Sequence, residues 1–220
     1  MTRIELPLFP LNLVLFPKMP LRLHIFEERY KLMMNECLLN RAPFGVVLIR
    51  NGSEAGNLPV RTHNIGCTAR IVHDEPLSQG RMNLTTQGEE RFQILQILQR
   101  TPYLLARVET LPGLHGSEQS EKLKQRLRPW VQRYVERIGS AGNLPISVQE
   151  IPHNPTDFAL FAAAAVQAPP EKKQPLLESE NAAHMLQQLI DLYQIELPLL
   201  ETVLTAPLPL VNASPLFSIN

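Results

Sequence analysis

Apolar and polar residues alternate from Leu21 to Ile25 (Leu-Arg-Leu-His-Ile), the two-residue period of a half-buried strand. The period then changes. Tyr30, Met33, Met34, Cys37 and Leu38 recur at helical spacing behind Glu27 and Glu28, whose carboxylates complement a helix N-terminus, so a capped amphipathic helix is predicted over 27–39. Phe44 to Arg50 is an apolar run read as a buried strand, and the small polar residues of 51–57 read as an exposed loop. Four more β-rich runs follow: Gly66–Val72, Arg81–Thr86, Arg91–Leu98 and Tyr103–Thr110. Gly80, Gly88 and the Arg100-Thr-Pro turn separate them. This even spacing favours an antiparallel barrel or rolled sheet over a parallel one.

Beyond Leu111 the pattern is helical. Pro112 to Ser117 reads as a linker. Leu123, Leu127, Val131, Tyr134, Val135 and Ile138 form an apolar stripe with Trp130, and Pro129 within it predicts a kink or break. Residues 157–168 are alanine-rich, Pro169-Pro-Glu171 reads as a helix start, and Ala182 to Tyr193 has a second stripe that Pro198 should end or bend. The expected fold class is therefore α+β, with a β-rich domain over 1–112 carrying one helix. A helical domain with a proline-rich tail is expected over 113–220.

Composition narrows the chemistry. With 220 residues, 44% apolar and 19% charged, the chain supports a core without disulfide or metal staples. Twenty-one basic residues balance twenty-one acidic ones, which disfavours generic nucleic-acid or membrane binding, although residues 1–112 carry +3 and 113–220 carry −3. Cys37 and Cys67 lack metal-ligand spacing and fit a reducing compartment, so cytoplasm is expected. Glu5, Lys18, Arg22 and four prolines interrupt the apolar N-terminal stretch, which is read as mature structure rather than a membrane helix or signal peptide. The six histidines show no metal-site spacing, and no metal or cofactor is expected.

Gly139-Ser-Ala-Gly142, with Lys172 or Lys173 as base, is the shape of a serine nucleophile motif, but reads more simply as a flexible turn between helices. Lys122, Lys124, Arg126, Arg128, Arg133 and Arg137 form the densest basic run, and interleaved Glu118, Glu121 and Glu136 favour a solvated face over an RNA surface.

The stretch Leu6-Pro-Leu-Phe-Pro-Leu to Phe26-Glu-Glu-Arg-Tyr30 closely resembles the opening of the Lon protease N-terminal domain, above all its free-standing branch, and the related domain of cereblon. Gly66-Cys-Thr-Ala-Arg-Ile71, Gly80-Arg81, Gly88-Glu-Glu-Arg-Phe92 and Tyr103-Leu-Leu-Ala-Arg-Val108 resemble that family's later signposts in the same order. Lys173-Gln-Pro-Leu-Leu-Glu178 is similar to its helical motif, whereas His184-Met-Leu stands where an Arg-Leu pair is usual. The resemblance implies a PUA-like pseudo-barrel followed by a helical bundle, and a non-catalytic module that recognises polypeptide. No Gly-x4-Gly-Lys-Ser/Thr phosphate loop occurs, so no enzyme activity is expected. A cryptic peptidase or regulator of a separate Lon-type protease, and an RNA-binding PUA-like module, are the alternatives.

The same proline-rich opening suggests where a partner sits. Prolines fix an extended backbone that withholds donors from a regular interior strand, so Phe9, Phe16, Met19 and Phe26 are the candidate groove residues. Ordinary core burial of Phe16 and Met19 is the competing reading.

Overall fold

Strand β1 (Arg3–Leu11) runs through Pro7 and Pro10 and is an interior strand, contrary to the reading of the opening as a segment unable to enter the sheet. The register explains how. The Thr110 amide donates to Thr2 O, so the even residues of β1 exchange bonds with the last strand and Pro7 turns its nitrogen to the other edge. Pairing on that edge starts only at Leu8, and pairing with the last strand has ended there before Pro10 turns back. Each missing donor falls where a neighbour is absent.

The computed structural model describes residues 2–51, 61–142 and 150–205. After β1 come β2 (Pro20–Ile25), α1 (Glu28–Asn40), β3 (Phe44–Asn51), β4 (Arg61–Thr62), β5 (Ile65–Pro76), β6 (Met82–Gln99) and β7 (Leu104–Thr110). Four helices follow: α2 (Glu118–Gly142), α3 (Pro155–Ala165), α4 (Pro170–Leu177) and α5 (Ala182–Thr205). The loop expected after Asn51 and the proline-rich tail lie outside the described residues.

The sheet runs β1-β7-β6-β5-β3-β4, and a parallel β1–β3 pairing closes β1, β7, β6, β5 and β3 into a ring. Every other pairing is antiparallel. Leu6, Leu8, Val47, Phe92, Ala106 and Val108 fill its interior. Helix α1 buries Tyr30, Met33, Met34 and Cys37 in a separate cluster with Phe9, Phe44 and Val46, which alternate along their strands with the interior residues. Its N-cap residue, Glu27, makes no side-chain cap; its carboxylate instead takes the Arg29 guanidinium at 3.0 Å.

Gly88 does not separate two strands; β6 passes through it for 18 residues. One edge of β6 pairs with β5, while the other pairs first with β2 and then with β7. At the changeover Gly88 receives the Lys18 amide at 2.8 Å and donates to Met19 O at 2.9 Å. A Cβ there would stand 2.2 Å from Phe16 O, so only glycine admits the crossing segment.

Strands give way to helices between Thr110 and Glu118, where the linker was expected. The helices pack on the sheet through one apolar cluster that includes Val14, Phe16 and Leu48 beside Leu127, Tyr134, Phe158 and Tyr193. Arg91, 5% exposed, reaches across from β6 and donates to Leu177 O, Ser179 O and Pro112 O at 3.0, 2.5 and 3.0 Å. Pro129 and Pro198 neither end nor break their helices. Both are exposed, as are Gln125 and Gln194 four residues earlier, so water reaches the carbonyls that proline leaves unpaired.

Candidate functional site

The Met19 amide donates to Phe16 O, closing a turn with Pro17 second and Lys18 third. Lys18 adopts φ 67°, the left-handed conformation that this turn type requires and glycine usually supplies. The turn and the following Pro20 form one wall of a cleft of about 420 Å3. Leu160, Phe161, Ala164 and Ala165 of α3 form the other, with Pro152 and Glu150 at its end.

Helix α3 starts where its sequence specifies. Asn154 caps it by accepting the Asp157 amide at 2.8 Å, Pro155 occupies the first turn, and Asp157 adds a carboxylate at the positive end of the helix dipole. Lys18 Nζ meets Asp157 Oδ1 at 2.5 Å and straps the turn to the helix. This hydrogen bond, followed by that from the Asn154 amide, holds the Asp157 carboxyl below the usual carboxylate range. The strap is therefore complete at and above ordinary carboxylate pH and is lost as pH falls through that lowered value. We expect the Asp157 contribution to vanish only below about pH 4, and Asp157→Asn to remove that part of the acid dependence in denaturant titrations.

Behind the cleft, Lys173 of α4 donates to Ala164 O at 3.2 Å and Val166 O at 3.0 Å, gripping the last turn of α3. Burial lowers its pKa to about 8. Its ammonium also lies 5.5 Å from the centre of the Phe16 ring.

The four expected groove residues do not meet in one groove. Met19 lines the cleft and is half-buried. Phe16 is fully buried between sheet and helices, because the turn tucks it under α3 and α4 while presenting Met19 outward. Phe9 is 7% exposed and packs edge-on against Tyr30 at 4.3 Å and Phe44 at 6.3 Å, since β1 is interior. Phe26 is exposed beside His24, outside the cleft. The α3 wall and the Lys18–Asp157 strap were missed. Their signal was present in Pro17-Lys-Met-Pro20, a proline turn, and in Asn154-Pro-Thr-Asp157, a capped start to a helix rich in small apolar residues.

The other chemistries do not assemble. Ser140 lies in the last turn of α2, not in a turn between helices, and donates to Glu136 O. Lys172 faces Glu196, while Lys173 is committed to carbonyls. In the basic run, Lys122 pairs with Glu118, Lys124 with Glu121, and Arg133 and Arg137 with Glu201. No cluster of metal-ligating side chains and no helix long and apolar enough to cross a membrane occurs among the described residues.

Residues 5–194 match the family model of the ATP-dependent protease La (LON) substrate-binding domain, and the chain belongs to that family. It is 29% identical over 194 residues to Lon protease 2 of Myxococcus xanthus, covering 85% of this chain and 23% of that protein. Lon protease of Anaeromyxobacter dehalogenans is 28% identical over 194 residues, covering 85% and 22%. The chain thus spans under a quarter of these curated relatives. In fold it is similar to the N-terminal domain of Mycobacterium avium complex Lon protease, with a TM-score of 0.68 at 15% identity, covering 87% of this chain and 99% of that one. A Lon N-terminal domain protein from Xanthomonas campestris gives 0.52 at 23% identity, covering 86% and 98%.

Proposed function

We propose that this chain is a non-catalytic recognition module that holds an apolar stretch of polypeptide in the cleft between the Pro17–Pro20 turn and α3. One observation carries this reading: an open, mainly apolar cleft at whose border Lys18 and Asp157 are paired with each other and do not compete for the occupant, which leaves Glu150 as the other charge in its lining. Family membership supplies the substrate class. The closed five-strand ring is the PUA-like element of this proposal, and the β-rich and helical regions to either side of residue 112 contribute one wall each, as two domains serving one binding unit. Delivery of the bound chain to a separate Lon-type protease is the accompanying role. Both cysteines are buried and unpaired, which suits the cytoplasm as the compartment.

The test is binding of unfolded casein, followed by fluorescence anisotropy. Ala165→Glu places a carboxylate in the cleft, and Met19→Gln replaces a thioether with an amide. Each should weaken binding about tenfold or more, equivalent to about 1.4 kcal/mol, with little change in melting temperature. Undiminished binding by both folded variants would reject the cleft.

A further inference from the structure

A second depression, of about 230 Å3, opens where β3, β4 and the β6–β7 turn converge, and shares no lining residue with the cleft. Arg50, Arg61 and Arg100 line it over Ile94, Ile97 and Leu104. Strand register brings Arg50 and Arg61 together: Ile49 pairs with Thr62 and Asn51 with Arg61. The Ile94 amide donates to Asn64 O at 2.8 Å and fixes the middle of β6 against this corner.

The charges here differ from those of several other arginines of the sheet and helices. Arg3, Arg70 and Arg107 on the same sheet each pair with a carboxylate, and Arg133 and Arg137 share one. Among the described residues, Arg50, Arg61 and Arg100 form no ion pair. Three like charges around one depression with an aliphatic floor repel one another, and an anionic occupant relieves that repulsion. Guanidinium groups match carboxylates in two-point geometry, whereas the half-buried aliphatic floor favours an apolar side chain. Among the described residues no aromatic ring lines the depression to stack on a base, which favours peptide over single-stranded nucleic acid.

We propose that this corner is a docking site for an acidic peptide segment with interspersed aliphatic residues, in which carboxylates meet Arg50, Arg61 and Arg100 while an aliphatic side chain rests on Ile94, Ile97 and Leu104. The site does not depend on occupation of the apolar cleft.

The probe is a fluorescein-labelled peptide of alternating Glu and Leu, with a Lys-for-Glu version as control. Anisotropy should show saturable binding of the acidic probe that weakens with added salt, and no binding of the basic one. Arg61→Glu and Arg100→Glu should each weaken binding about tenfold or more, and Arg100→Lys should lose part of it because a point charge replaces a fork. Ala165→Glu in the cleft should leave this probe's affinity unchanged, which separates failure of this site from failure of the cleft. Both charge reversals lie on exposed residues, and unchanged melting curves will establish that the variants are folded. Equal binding of the two peptides, or insensitivity to both reversals, would overturn the proposal. A single-stranded oligonucleotide that binds through these arginines while the acidic peptide does not would overturn it in favour of nucleic acid.

Discussion

Gly88→Ala should lower stability by about 3 kcal/mol, roughly 6–12 °C in melting temperature for a chain of this size. The new methyl carbon would meet a backbone oxygen, Phe16 O, at 2.2 Å, and no rotamer change moves it away. Relief requires β6 and the Phe16–Met19 turn to separate. That separation stretches both hydrogen bonds between Gly88 and the turn, each worth about 1 kcal/mol. It also displaces Met19 from the cleft, so binding of unfolded casein should weaken further than the stability loss explains. Thermal melts and anisotropy on the same preparation measure both effects. A fully stable Gly88→Ala protein would contradict the crossing geometry.

Arg91→Met should be comparably severe, at about 3–5 kcal/mol. Methionine replaces much of the aliphatic bulk but leaves the carbonyls of Leu177, Ser179 and Pro112 without their shared donor. Burial lowers the arginine pKa, but its fork satisfies three acceptors from one position. Arg91→Lys should recover only part of the loss, since an ammonium cannot span the same set. Equilibrium denaturation of the three proteins checks this order, and equal stability of the methionine and arginine forms would refute it.

Much of this fold could be read from periodicity. The alternation at Leu21–Ile25 became β2, the stripe from Tyr30 to Cys37 became the buried face of α1, and the continuous run from Phe44 became a strand buried on both faces. What escaped depends on which edge or face of an element a residue occupies. Pro7 and Pro10 are compatible with a strand only because its two neighbours overlap in register at Leu8. Pro129 and Pro198 are compatible with helices because their unpaired carbonyls face water. Gly88 looked like a strand break because the segment that crosses it lies about seventy residues earlier in sequence.

The candidate site was legible in part for the same reason. The proline turn marked one wall, and Met19 does line it. Phe16 has equal claim by composition, yet the turn at Pro17 sends it under the helices. The opposing wall comes from α3, about 140 residues away, and chain topology alone brings it there.

Methyl NMR of protein labelled at methionine and alanine tests the recognition cleft most directly. Titration with an apolar segment of unfolded casein should shift the methyl signals of Met19, Ala164 and Ala165 saturably and with one affinity. Met33 and Met34, fully buried on the face of α1 that packs against the sheet, should stay in place. Saturable shifts that spare Met19, Ala164 and Ala165 would contradict the assignment of polypeptide recognition to this cleft.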